Sequence, residues 1–497
     1  MATLAAPIAT EFNSLSLLAW LATGFLVGQA ATQPLSGKLT DIFSRQWGLV
    51  VSNCIFAMGN IICGLAQDNS TMIVGRVVAG VGGGCLNTIA TIIASDLIPL
   101  RHRGLWQGIG NVFWGLGNGL GGLFGGYMND VWNWRIAFLA QTPLTIASLV
   151  IIGCQFKTIG SSTPRIIDKS RSLLSRVDFL GSSLLISTLV LFLLGLTSGG
   201  NLVPWSHPLV WTSLPLSLVC FCTFIYVEQN VAREPILPLH FLRDRTILCA
   251  CLTNWTFHMG LYIIIFYIPI YYRTLGVSTT RAGEALIPLG VFLPLGSLTA
   301  GITTSSTGRY KNVLTGALLL NLAGAVGSAM NTLTTPLWLP MVYIGLMAFA
   351  MGAMLVVTLV AFTSAVEIFE QALVTSLSYV FRATGSVMGT AIGSAVYQSV
   401  LGHDLWARLG NMDEAADIIG SVKDSLDAVE QLPDQLQMVV RTSYMQALKA
   451  TFSTTVGFAV LAVVSGLLVK QLKLHSTLMR NEEDNVVKGP QRDTSED

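Results

Sequence analysis

The chain has 497 residues, of which 52% are hydrophobic and only 11% charged, and its net charge is +1. An ordinary soluble domain carries roughly 25% charged residues, so this chain has too few charges to cover a water-facing surface, and lipid is expected to be its main solvent. No basic arm or basic face accompanies the near-neutral charge, which argues against an extended nucleic-acid surface.

One membrane crossing takes about 20 mostly apolar residues. Windows of that length lie at 15–36, 47–66, 71–95, 105–127, 134–155, 179–198, 208–228, 247–271, 284–304, 313–332, 337–362, 372–399 and 447–470, about thirteen in all. An all-α, polytopic membrane protein is expected, because helices keep their backbone hydrogen bonds inside each span. All eight cysteines (Cys54, Cys63, Cys85, Cys154, Cys220, Cys222, Cys249, Cys251) fall in apolar segments without metal-site spacing. They are expected to be small buried hydrophobes rather than disulfides or zinc ligands.

Lys and Arg in short loops set orientation. Loops 37–46, 96–104, 156–178, 229–246 and 305–312 hold 14 basic residues, whereas the short loops of the other face hold Arg273 and Arg281. The first group is expected in the cytosol, and acidic segment 400–446 outside or in a lumen. That segment mixes its acids with Leu426, Val429 and Leu436, which suggests an amphipathic surface helix or two. The charged tail 471–497 is expected to be disordered.

Between the first two apolar segments stands a short charged stretch, Gly37-Lys38-Leu39-Thr40-Asp41-Ile42-Phe43-Ser44-Arg45, read as a loop; a relaxed copy runs from Gly301 to Arg309. Glycines recur as well. Gly117, Gly121 and Gly125 stand at four-residue spacing in the first half, and Gly385, Gly389 and Gly393 do so in the second. Such a stripe lies on one helix face and lets another backbone approach. Its recurrence suggests a moving interface between two related halves, as in alternating access.

The residues GKLTDIFSR resemble the GxLxDxxGR hallmark of the major facilitator superfamily, with Ser44 at the usual second glycine and Gln46 at a usual basic residue. Arg76 in IVGRVVAGVGGG matches that family's fourth-span arginine motif, and GLGGLFGG at 119–126 is similar to its antiporter glycine motif, with Gly122 where many antiporters have proline. Segments SDLIPLRHRGLWQG, WRIAFLAQTP, REPILPLHFL and SYVFRATG extend the resemblance over nearly the whole chain. It is strongest to the fourteen-span drug/proton antiporter branch, and within it to fungal vacuolar basic amino acid transporters and related multidrug efflux pumps.

The resemblance implies two pseudo-symmetric six-helix bundles with two extra linker helices. Residues 1–155 would form the first bundle, with its first span incomplete because the chain starts near that span's last turns. Residues 156–246 would form a cytosolic loop and the two extra helices, and 247–470 the second bundle. A monomer is expected, with a small-molecule substrate, protons and the lipid bilayer as its partners, and no cofactor. Gly80 to Gly84 lacks the Lys-Ser/Thr of a nucleotide loop and no nucleophile or metal cluster appears, so an ion gradient rather than ATP or catalysis is the expected driver.

The candidate gating residues are Gly37, Asp41, Arg45, Arg76, Asp96, Gly121, Gly125 and Arg382. Asp41, Arg45 and Asp96 are expected to form a charge cluster that locks the outward-facing state, as the resemblance implies. Arg76, a charge inside a span, is assigned to proton coupling or helix positioning, and its replacement by alanine is expected to abolish transport without affecting insertion. Arg382 either binds a carboxylate or pairs with Glu284 or Glu370. Asn254 and His258, one turn apart, and Glu284 are candidate proton or substrate contacts.

Three functions remain in view. The leading one is proton-coupled antiport of small organic solutes out of the cytosol, with basic amino acids entering the vacuole. The second is efflux of a drug, toxin or fungal metabolite across the plasma membrane. The third is a transport-inactive sensor or scaffold.

Overall fold

The computed structural model describes residues 4, 8, 11–12, 16–98, 100–155, 178–199, 203, 206–231, 239–277, 279–366, 370–410, 415–424 and 432–472. Sixteen α-helices run through them, with no strand among the described residues beyond an isolated bridge between Gly199 and Val203. The tail from 473 and the long loop 156–177 lie outside the described residues.

The first half contains α1 (Ser16–Ile42), α2 (Arg45–Leu65), α3 (Asn69–Leu97), α4 (Leu100–Val131), α5 (Trp134–Leu139) and α6 (Gln141–Gln155). Next come α7 (Phe179–Ser198) and α8 (Pro208–Asn230), which pack mainly on each other. The second half contains α9 (Arg245–Thr274), α10 (Thr279–Glu284), α11 (Ile287–Thr307), α12 (Lys311–Ala329), α13 (Trp338–Ala365), α14 (Gln371–Leu409), α15 (Ala415–Asp424) and α16 (Asp434–Leu467). Each apolar window carries helix. Ten helical segments among the described residues are both long and apolar enough to cross a membrane; α1, α4 and α14 are as long but carry more glycine and polar residues.

The structure departs from the sequence expectation in several details. Window 134–155 is two helices joined at Ala140, whose N–H still bonds back to Ile136. The Gly37–Arg45 stretch is mostly not a loop: α1 continues to Ile42, because Gly37 to Ile42 contains nothing that stops a helix and Thr40 Oγ1 bonds back to the Ser36 carbonyl at 2.7 Å. Ser44 then starts α2 as its N-cap, accepting from the Trp47 N–H at 3.2 Å. In the second copy, helix likewise runs through Thr307, and Gly308 ends it in the left-handed conformation (φ 69°), which glycine adopts without penalty.

Segment 400–446 is also less of a loop than expected. Helix α14 runs on to Leu409 and α16 begins at Asp434. With α15 they bury Leu405, Leu409, Ile419, Val440 and Tyr444 together, forming a small apolar core. Partial burial alone would raise the Asp404 carboxyl, but hydrogen bonds from Ser443 and Arg408 outweigh it and hold the group below the usual range. The cysteines depart from expectation too: Cys63, Cys249 and Cys251 are buried, but Cys54, Cys154 and Cys222 are exposed, as suits a thiol on a lipid-facing helix surface.

Within the first half α3 is central, packing on both α1 and α2. Within the second, α9 and α13 are central, with 78% and 89% of their apolar windows buried. The halves meet along two seams, α4 against α11 and α1 against α14. Across the first, Asn111 Nδ2 donates to Ser297 Oγ at 2.9 Å, a polar bond of the kind that holds membrane helices together.

Candidate functional site

At the end of α1 expected in the cytosol, Arg45 Nε donates to Asp96 Oδ2 at 3.0 Å, and a second guanidinium nitrogen donates to Thr40 Oγ1 at 2.8 Å. The side chains of Arg45 and Asp96 are 19% and 41% exposed, so the pair contributes about 1 kcal/mol or less. A bond that weak is easily broken and remade. Gly37 lies buried on the same turn, its carbonyl accepting from Thr40 at 3.1 Å. The Asp41 side chain lies outside the described residues.

Arg76 sits two turns into α3. Its Nε donates to the Leu21 carbonyl of α1 at 2.9 Å, and its guanidinium lies 4.7 Å from the centroid of the Phe25 ring. One turn on, a side chain at Gly80 would strike the Phe25 carbonyl; one turn further, a Cβ at Gly84 would come within 2.9 Å of the Gln29 backbone. Arg76, Gly80 and Gly84 thus meet Leu21, Phe25 and Gln29 in step. The arginine tacks the end of a close helix seam.

The two glycine stripes do not have matching surroundings. In the second half, a Cβ at Gly385 would come within 2.5 Å of the Trp255 carbonyl, and one at Gly389 would strike the Met259 carbonyl. Helix α9 is therefore seated directly on α14. In the first half, Gly117 and Gly121 have nothing within 4 Å of where a Cβ would be, and Gly121 is exposed although Gly125 is buried. The expected packed interface is absent at Gly121 because no helix of the described chain lies on that face of α4.

A narrow polar cavity, with room for about one water molecule, lies where the halves meet. Helix α14 supplies Arg382, Tyr379 and Ser378, α9 supplies Asn254, and the first half supplies Thr91 from α3 and Gln107 from α4. Leu355, Leu359 and Phe362 of α13 form its apolar wall. Thr91 Oγ1 and the Tyr379 hydroxyl are 2.6 Å apart, a hydrogen bond that closes the cavity from one half to the other. The Arg382 guanidinium stacks on the Tyr379 ring at 3.8 Å, and its buried Nε has no hydrogen-bond partner.

Several expectations resolve here. Arg382 pairs with neither Glu284 nor Glu370, which lie at helix ends away from the cavity lining. Asn254 does line the cavity, its Nδ2 donating to the Ala250 carbonyl at 2.9 Å. His258, 5% exposed, faces Tyr262 and holds Nδ1 2.8 Å from the Asn254 carbonyl. A carbonyl only accepts, so Nδ1 carries the proton in that bond and Nε2 is left as the acceptor. Sequence reasoning missed Tyr379, Thr91 and Gln107. Tyr379 had a signal, being one turn before Arg382; Thr91 and Gln107 become visible only once two halves are packed.

The Major Facilitator Superfamily sequence profile matches residues 1–390. "Multidrug resistance protein fnx1" of Schizosaccharomyces pombe is 34% identical over 478 residues, covering 95% of this chain and 89% of that protein. "Vacuolar membrane amino acid uptake transporter fnx2" of the same yeast is 30% identical over 469 residues, covering 94% and 80%. Among solved structures, a proton:xylose symporter bound to a glucose analogue superposes with a TM-score of 0.59 at 14% identity, covering 96% of this chain and 93% of that one. The helices, the two seams between the halves and the family match agree: the chain is an integral membrane transporter, not an enzyme, and belongs to the major facilitator superfamily.

Proposed function

We propose that the chain is a proton-coupled antiporter that moves small organic solutes out of the cytosol, and that basic amino acids entering the vacuole are its leading substrate class. The observation that carries this reading is the polar cavity walled by side chains from both halves, with an intramembrane arginine whose buried Nε has no acceptor. Rocking one half against the other would break the Thr91–Tyr379 bond and alternate access to such a cavity. The amino acid assignment draws on the relative named for vacuolar amino acid uptake. His258, with Nε2 left to accept, is the proposed proton carrier beside the cavity.

The test is uptake of radiolabelled lysine and arginine into proteoliposomes with an acidic interior, with and without a protonophore. Gradient-dependent accumulation is expected. Equal counts in protein-free vesicles for every solute tried would overturn the reading.

A second reading, efflux across the plasma membrane, is favoured by the relative named for multidrug resistance. A fluorescent fusion separates the two. Signal at the cell rim together with restored drug resistance in a pump-deficient yeast would replace the vacuolar assignment.

A further inference from the structure

We infer that Arg382 is the receptor for a carboxylate on the transported solute. This rests on the reading that the cavity between the halves is where the solute binds.

The argument starts from what Arg382 lacks. A guanidinium keeps its charge in proteins and carries five N–H donors in one plane. Placing it at membrane depth is costly unless an anion or dipoles answer it. Arg76 meets this demand with a backbone carbonyl at 2.9 Å. Arg382 has its face on the Tyr379 ring, which Thr91 holds in place at 2.6 Å, while its buried Nε has no partner. Stacking uses the face of the guanidinium and leaves its edge, where the N–H bonds point. An in-plane, two-oxygen acceptor is what that edge is shaped to take.

The rest of the cavity selects among anions. No acidic residue lines it among the described residues, so the arginine's charge is not cancelled from within. A single arginine matches a monoanion, whereas a phosphate dianion would call for a second cation. The apolar wall of α13 lowers the local dielectric and strengthens the contact. Asn254 spends its Nδ2 on the Ala250 carbonyl and so offers Oδ1 as an acceptor. That places an acceptor for an ammonium in the same cavity as the carboxylate receptor, the polarity of an amino acid's own backbone groups. A purely cationic solute meets only repulsion at Arg382.

The test is a matched series on the purified full chain. Arginine is compared with its amide and with agmatine, which keep the cationic side chain and lack the carboxylate, and benzoate and chloride serve as anions without a cation. The wild type is expected to accumulate arginine at least about tenfold faster than either analogue, the scale of a lost charge-assisted hydrogen bond. Benzoate is expected to raise its melting temperature. Arg382→Gln should lose both responses while its ligand-free melting temperature stays level or rises, and Arg382→Lys should restore only part. Equal uptake of agmatine and arginine, full uptake by Arg382→Gln, or an Arg382-dependent rise with chloride as large as with benzoate would each overturn the inference. If no arginine-derived solute is taken up at all, the transport reading fails on its own account. The benzoate response then decides the receptor: present in the wild type and lost in Arg382→Gln, it stands; absent from both, it falls.

Discussion

Helices α4 and α14 carry the same glycine spacing and opposite surroundings. On α14, Gly385 and Gly389 let α9 come so close that its carbonyls occupy the space of a side chain; on α4, Gly117 and Gly121 look onto open space. A glycine stripe is therefore a permission for contact and not evidence of one. The intramembrane arginines teach the same lesson. Arg76 donates to a backbone carbonyl and stabilises the α1–α3 seam, while Arg382 stands beside a cavity with its Nε unanswered. Both are arginines within spans, and the accounting of partners tells them apart: one is answered by a backbone carbonyl, while the other's buried Nε is not.

The largest effect is expected where this contrast is sharpest. Gly389→Leu would push a side chain into the Met259 carbonyl, and because neither helix backbone can yield locally, α9 and α14 must part. A cost of about 3 kcal/mol is expected, read as loss of monodisperse protein in size-exclusion chromatography. Gly121→Ala meets nothing and removes a flexible residue from a helix, so it should leave stability level or raise it by about 0.5–1 kcal/mol. Comparable losses from both would mean that the face of α4 is covered in the membrane.

The arginines offer the next test. Arg76→Gln removes the hydrogen bond to Leu21 and the stack on Phe25, and should cost about 1.5–3 kcal/mol, seen as a fall in melting temperature. Arg382→Gln gives up the stack on Tyr379 but loses no hydrogen bond at Nε and sheds an unanswered charge, so no such fall is expected. This sharpens the expectation for Arg76: any loss of transport should track loss of stability. A stable Arg76→Gln protein without transport would return that arginine to a direct role in coupling.

Much of the fold was legible because a bilayer imposes one rule, apolar length, on every span; windows such as 208–228 and 313–332 fall on α8 and α12 within a few residues. The helical course of Gly37–Ile42 was not legible, since charged residues in a short stretch look like a loop whether or not the helix runs on into water. At the site, Arg382 and Asn254 were readable as polar residues within spans. Their convergence with Thr91 and Gln107 was not, because it depends on how α3, α4, α9 and α14 are packed, and no local spacing encodes that. That Arg76 finds a backbone acceptor and the Nε of Arg382 finds none was hidden for the same reason.

A smaller effect is expected at the surface ion pair. Asp96→Asn removes the 3.0 Å contact with Arg45 but leaves the bond from Arg45 to Thr40, so stability should drop by about 0.5–1 kcal/mol, and less in high salt. Transport is the more telling readout. If the pair acts as a latch, the variant should change the rate at which the halves exchange while leaving solute affinity unchanged; unaltered rates would reduce it to a charge that sets topology.

The smallest effect concerns pH on the opposite face. Glu11 accepts from Arg135 at 2.6 Å and from the Trp134 indole at 2.5 Å, while Arg135 also holds the Ala66 carbonyl at 3.0 Å. Slight burial alone would raise the Glu11 carboxyl, but these bonds and the Arg135 charge outweigh it and hold its pKa below the usual value. A group lowered on folding stabilises the protein above its unfolded pKa, about 4.3 for glutamate, and that contribution is lost as pH falls through the lower folded value. With the side chain 42% exposed, screening limits it to about 0.5 kcal/mol. Melting temperatures of the wild type and Glu11→Gln should therefore differ slightly at neutral pH and converge in strong acid. Mildly acidic pH lies above this window, so the clamp persists there, and a gap that widened on acidification would show that the carboxylate is not the group being held.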